Sequence, residues 1–102
     1  MAEWIKVSDV GDPASGEVKV VRSGDLRIAL ANVDGKYFAV DDVCTHDGGP
    51  LGQGDVFDYE IECPRHGARF DIRTGQPMCL PAILPVKTYA VRVEGNEVQI
   101  EL

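Results

Sequence analysis

Histidine is scarce in this sequence, and the scarcity narrows the chemistry. The 102 residues hold only His46 and His66, each just downstream of a cysteine. If both act as ligands, no imidazole remains for a Ser/His/Asp or Cys/His catalytic set. A phosphate-cradling glycine loop and a flavin or nicotinamide fingerprint are also missing. No apolar stretch approaches the length of about twenty residues that a membrane-spanning helix needs. The start, Met1-Ala2-Glu3-Trp4-Ile5-Lys6, lacks the basic and then apolar segments of a secretory signal. Basic residues are outnumbered, 10 Lys and Arg against 17 Asp and Glu, and the net charge of -7 opposes binding to nucleic acid, whose phosphates it would repel. Three cysteines make an odd count, which disfavours a disulfide scaffold and fits metal-held thiolates in a reducing cytosol. A cytoplasmic protein is expected.

What is present is a chain of short β-like runs separated by turn residues, with no sustained helical period. Its length suits one domain, residues 1–102, and 44% apolar content can supply a modest core. Glu3 to Val7 reads as a first strand and Asp9 to Gly16 as a loop. Glu17 to Arg22 and Asp25 to Val33 follow, joined at Ser23-Gly24, with Leu26, Ile28 and Leu30 on one face of the second. Asp34-Gly35 signals a tight hairpin returning along Lys36 to Val40. Residues 41–54 read as loop, Val56 to Glu62 and Ala68 to Ile72 as strands, and Thr74-Gly75 as a turn. Beyond a proline-rich run, Val86 to Val93 would place Tyr89, Val91 and Val93 on one face. Glu94-Gly95-Asn96 then turns into a last strand, Glu97 to Leu102. The expected fold is all-β: an antiparallel β-sandwich with a small subdomain, about residues 42–82, inserted between its strands.

The chemistry concentrates in Cys44-Thr45-His46 and its echo, Cys63-Pro64-Arg65-His66. Two thiolates and two imidazoles suit zinc or an iron–sulfur cluster rather than a hard, oxygen-loving cation. A zinc finger usually draws paired cysteines from one turn and paired histidines from a helix. Here each loop supplies one of each, which is what two adjacent irons need if one takes both sulfurs and the other both nitrogens.

Cys44-x-His46 followed by Cys63-x-x-His66 resembles the Rieske ligand motif. Asp47-Gly48-Gly49-Pro50-Leu51 is similar to the first cluster loop of that family, and His66-Gly67-Ala68-Arg69-Phe70-Asp71 to the second. Thr74-Gly75 and the run from Pro77 to Pro85 resemble the stretch that closes over the cluster from a third side. The resemblance covers nearly the whole chain. It implies the same all-β fold and one [2Fe-2S] cluster, with Cys44 and Cys63 on the inner iron and His46 and His66 on the outer one. The imidazoles would be the exit for the electron. Pro50, Leu51 and Pro81 are expected to rim a small docking face around them.

The resemblance also implies a low potential. Respiratory Rieske proteins carry a cysteine in each loop that forms a disulfide, where this chain has Gly49 and Arg65. They carry a serine and a tyrosine where it has Ala68 and Phe70, so two hydroxyl donors that stabilise the reduced state are absent. A potential in the lower part of the range of about -150 to +300 mV is expected. A low-potential, single-domain Rieske protein is similar to the ferredoxin component of bacterial ring-hydroxylating oxygenase systems. Such a component is no enzyme itself; it carries single electrons from a flavin-dependent ferredoxin reductase to a terminal oxygenase. The small subunit of an assimilatory nitrite reductase and a zinc-stabilised interaction module are the alternatives.

Other residues have plainer expectations. Cys79 reads as a small apolar residue near the proline loop, not a ligand. Asp55, Asp58, Glu60 and Glu62 read as a solvated strand face or turn, and Asp41-Asp42 as surface charge. Asp47 either tunes His46 or is simply exposed, and Arg65 and Arg69 are either docking contacts or solubility charges. Trp4 and Tyr37 read as ordinary core or edge aromatics.

Overall fold

The structure is a computed structural model that describes residues 3–44, 49–64, 67–79 and 84–102, with the backbone alone at Cys79. The described strands are β1 (Trp4–Asp9), β2 (Val18–Ser23), β3 (Leu26–Val33), β4 (Lys36–Asp41), β5 (Asp55–Phe57), β6 (Glu60–Glu62), β7 (Arg69–Asp71), β8 (Pro77–Cys79), β9 (Thr88–Tyr89), β10 (Val91–Glu94) and β11 (Glu97–Glu101). Among the described residues one 3-10 turn, Leu51–Gln53, interrupts them. They form three antiparallel sheets in the orders β1-β11-β10, β2-β3-β4-β9 and β5-β6-β7-β8. The all-β expectation holds.

Local chemistry explains the hairpins. Val33 faces Lys36 across β3 and β4, so Asp34-Gly35 is a two-residue turn, and both residues have positive φ, 53° and 86°. That turn matches the twist of the strands it joins, and aspartate and glycine are the residues that tolerate it.

β3 is the pivot of the fold because both its faces are buried. Ile28 and Leu30 pack with Val21, Ala39, Tyr89, Val98 and Ile100 against the β1-β11-β10 sheet. The intervening Ala29, Ala31 and Val33 pack on the opposite side with Leu51, Ile61, Phe70, Ile72 and both loop cysteines. Period-two reading sees only the first face, since two small alanines carry much of the second. Fully burying each of the large aliphatics contributes about 1.5–3 kcal/mol. Leu26 shares the Ile28 face by period but lies at the strand end, 37% exposed.

Two strand expectations need correction, and one strand is unexpected. Val56 to Glu62 is not one strand but a hairpin of β5 and β6, with Phe57 paired to Glu60. Asp58 turns the chain with a φ of 53°, without a glycine to announce it. Val86 to Val93 breaks at Ala90, where the chain leaves one sheet and enters another. Tyr89 pairs with Ala39, Val91 pairs with Ile100, and Val93 is exposed. The proline-rich run begins as a strand, because Pro77–Cys79 pairs with β7 through an irregular register.

Candidate metal centre

Cys44 lies in the loop after β4 and Cys63 in the loop after β6, and a backbone hydrogen bond from each cysteine closes its loop in the same way. The Cys44 N–H donates to the Gly49 carbonyl at 2.7 Å, and the Cys63 N–H donates to the Ala68 carbonyl at 2.7 Å. In each case the acceptor lies five residues downstream, so each cysteine begins a small ring of chain. The second ring is tightened by Gly67, whose N–H returns to the Cys63 carbonyl at 3.1 Å and whose φ of 74° suits glycine.

The cysteines lie at 0% and 1% exposure in one apolar cluster, and neither is in a disulfide. Ala68 and Phe70, both fully buried, belong to the same cluster and bring no hydroxyl to it. His46 and His66 lie outside the described residues, as do Asp47, Arg65 and Pro81. Among the described residues no group of three or more His, Cys, Asp and Glu side chains is brought together. The donor set placed by the structure is therefore the two thiols, each opening a closed loop whose sequence supplies an imidazole. That set fits a soft metal or an iron–sulfur cluster.

The rest of the surroundings is polar and tied down. Asp42 is buried at 2% exposure, which corrects the surface-charge expectation for this residue. Its Oδ1 accepts the Gly52 N–H at 2.5 Å, and its Oδ2 lies 3.1 Å from Arg27 Nη2. Asp41 is half-buried and accepts the Tyr89 hydroxyl at 2.5 Å. Burial, and then this bond to a carboxylate, push the Tyr89 phenol well above its usual range. Leu51, expected on the docking rim, is wholly buried, because the 3-10 turn directs it into the core. Pro50 is half-buried.

Arg69 extends over the Phe57 ring, 4.9 Å from its centroid, and bonds Glu62 at 2.8 Å. Asp71 accepts bonds from the Arg73 backbone N–H at 2.8 Å and the guanidinium at 2.9 Å, and the latter above all holds its carboxyl below the usual range. Gly75 is held against Val86: its carbonyl accepts the Val86 N–H at 2.8 Å, and a Cβ on Gly75 would meet that residue's oxygen at 2.0 Å. Asp55 and Asp58 are exposed, while Glu60 and Glu62 are half-buried beside them. Trp4 carries Arg92 over its ring at 4.4 Å, and the Tyr37 hydroxyl accepts the Gly11 N–H at 2.7 Å. The Cys79 side chain lies outside what the structure describes.

Comparison with known proteins agrees with this geometry. Residues 3–90 match the Rieske [2Fe-2S] domain family. The ferredoxin component of biphenyl 2,3-dioxygenase from Rhodococcus jostii is 38% identical over 97 residues, 95% of this chain and 91% of that protein. The Sphingomonas yanoikuyae B1 ferredoxin superposes with a TM-score of 0.92 at 36% identity, covering 98% of this chain and 99% of that one. A ferredoxin bound to reduced oxygenase in carbazole 1,9a-dioxygenase superposes at 0.90 with 34% identity, covering 95% and 91%. No helix among the described residues is long and apolar enough to cross a membrane. The chain belongs to the Rieske [2Fe-2S] domain family.

Proposed function

We propose that this protein is a diffusible, low-potential Rieske electron carrier of the cytoplasm. It takes single electrons from a flavin-dependent ferredoxin reductase and delivers them to a terminal non-haem iron oxygenase that hydroxylates an aromatic ring. It transforms no substrate itself. The observation that carries this reading is the pair of identically closed loops, each opening on a buried cysteine. The relatives named as ferredoxin components supply the biological setting.

In this reading Cys44 and Cys63 hold the inner iron, His46 and His66 hold the outer one, and residues of about 42–82 form the cluster-binding part of a single domain spanning 1–102. The bound cluster supplies a one-electron couple whose two neutral imidazole ligands raise its potential above that of an all-cysteine cluster. The residues do the rest. Burial of both cysteines excludes water from the inner side. The bonds from the Cys44 and Cys63 amides fix the loops, so little needs to move when charge changes. Ala68 and Phe70 bring no hydroxyl hydrogen bond, which leaves the reduced state less stabilised and the potential in the lower part of the family range.

Docking of both partners is assigned to the surface near His46 and His66. Half-buried Pro50 and exposed Val43, which flank Cys44 and Gly49 in the chain, supply apolar area beside the described part of the first loop. A small apolar contact suits a short-lived redox encounter.

Reconstitution tests the reading. Purified holo-protein is mixed with NADH, a flavin-dependent ferredoxin reductase and the terminal oxygenase of a ring-hydroxylating system, and the hydroxylated product is measured. Product formation that depends on this protein is expected. Failure of any such reductase to reduce a protein with an intact cluster would sink the carrier assignment. His66→Ala is expected to abolish the cluster spectrum, and an unchanged spectrum contradicts the ligand assignment.

A further inference from the structure

Charge near the first cysteine loop is distributed unevenly between buried and exposed groups. The Asp42 side chain has 0% exposure, whereas its partner Arg27 is 50% exposed. Asp42 Oδ1 accepts the Gly52 N–H, but Oδ2 has no hydrogen bond among the described residues and only the guanidinium 3.1 Å away to offset its charge. The contact at Oδ1 depends on a missing side chain. A Cβ on Gly52 would sit 3.0 Å from that oxygen and 2.3 Å from Val20 Cγ2. The carboxylate thus ties residue 42 to residue 52, across the segment that contains Cys44 and His46. The Asp42 N–H in turn donates to the Arg27 carbonyl at 2.9 Å, so the clamp is anchored on the pivot strand β3.

A second carboxylate–arginine pair flanks Cys63. Glu62 and Arg69 meet at 2.8 Å, with side-chain exposures of 28% and 40%. Water screens both members of that pair. It screens only the cation of the first. An electron arriving nearby is repelled by a buried anion much more strongly than by an exposed one, because the interaction scales inversely with the local dielectric.

We propose that Asp42 is a positioning residue for electron transfer, clamping the first ligand loop through Gly52 while its buried charge, partly offset by Arg27, holds the cluster potential down. The proposal rests on the assignment of Cys44 and Cys63 as cluster ligands. By this account the Arg27–Asp42 pair outweighs Glu62–Arg69 in setting the potential, although Asp42 lies two residues from Cys44 and Glu62 only one from Cys63. The sign follows from charge. Reduction adds a negative charge, so removing the Asp42 anion favours reduction and removing the Arg27 cation opposes it.

Anaerobic redox titration of the holo-protein, with iron content and electron paramagnetic resonance for every sample, tests this. Asp42→Asn keeps an oxygen for the Gly52 N–H and loses the charge, so its midpoint should rise. Arg27→Gln should lower the midpoint, and the double variant should lie between the two. Glu62→Gln should shift it less than Asp42→Asn. Asp42→Ala, which removes the clamp as well, should lose iron to a chelator several-fold faster than Asp42→Asn. Midpoints of Asp42→Asn and Arg27→Gln indistinguishable from a wild type with a normal Rieske spectrum overturn the electrostatic role alone. Equal iron-loss rates for the Ala and Asn variants overturn the clamp. A wild type that takes up no iron overturns the ligand assignment and the proposal with it.

Discussion

Replacing Gly54 by alanine probes the site through geometry. Gly54 has a φ of -87° and a ψ of -172°, an extended backbone that any residue adopts, so alanine introduces no conformational strain. Space is what is lacking. A Cβ would lie 1.7 Å from the Glu62 carbonyl oxygen, 2.9 Å from its carbon and 3.3 Å from the Leu51 oxygen. All three are backbone atoms, and no rotamer change relieves the overlap. The turn Leu51–Gln53 and strand β6 must separate by more than about 1 Å to restore ordinary contact. Overpacking of this kind costs about 1–3 kcal/mol, and loosening the buried Leu51 places the effect at the upper end.

For a domain of this size about 3 kcal/mol corresponds to a fall in Tm of about 12–24 °C. Gly95→Ala is the comparison. Gly95 has a φ of 61° and nothing within 4 Å of a Cβ, so only the left-handed backbone penalises alanine, by about 1–2 kcal/mol. Thermal melts of both holo-proteins, followed by far-ultraviolet circular dichroism and visible absorption together, check the ranking. Gly54→Ala should melt lower than Gly95→Ala and lose its visible absorption before its strands, since Glu62 immediately precedes Cys63. A Gly54→Ala protein within about 2 °C of wild type would refute the reasoning.

Other outcomes follow from the same structure. Ala68→Ser and Phe70→Tyr should each raise the midpoint potential: a hydrogen bond about 1 kcal/mol stronger in the reduced state is worth about 40 mV for one electron, measurable by spectroelectrochemistry. An unchanged or lower midpoint in both contradicts the explanation of the low potential. Asp71, whose pKa Arg73 lowers, stabilises the fold above the ordinary carboxylate range and loses that contribution as pH falls through its depressed value. Asp71→Asn should therefore cost about 1–3 kcal/mol at pH 7 by urea denaturation, and the gap should shrink as pH falls through that depressed value; a gap that does not change on acidification contradicts it. Stripping the cluster should speed hydrogen exchange in residues 49–54 and 67–76 while β2, β3 and β4 stay protected, as mass spectrometry can read, because those strands pack on two cores. Uniform loss of protection would show that the site is not a separable part of the fold.

Much of this architecture is legible in the sequence, and the failures share a cause. The Cys-x-His and Cys-x-x-His spacing and the Asp34-Gly35 turn are local signals, written by residues whose chemistry or backbone preference is unusual. Elements set by long-range packing are not written that way. Ala29 and Ala31 give β3 its second buried face without looking hydrophobic enough to reveal it. Ala90 lets the chain change sheets with neither proline nor glycine to mark the break. Asp42 looks like any surface acid until Arg27 and Gly52 arrive from distant parts of the chain. Leu51 follows a proline in a loop and reads as exposed, yet the turn after Pro50 drives it inward. Residues that hold the site are thus harder to see than those proposed as its ligands.

The measurement closest to the central claim is an anaerobic redox titration of the purified protein, with electron paramagnetic resonance and quantification of iron and zinc. The account predicts about two irons per chain and a reduced signal whose average g falls below that of all-cysteine clusters, with a midpoint in the lower part of the range of about -150 to +300 mV. Zinc without iron, or a midpoint near the top of that range, would contradict it.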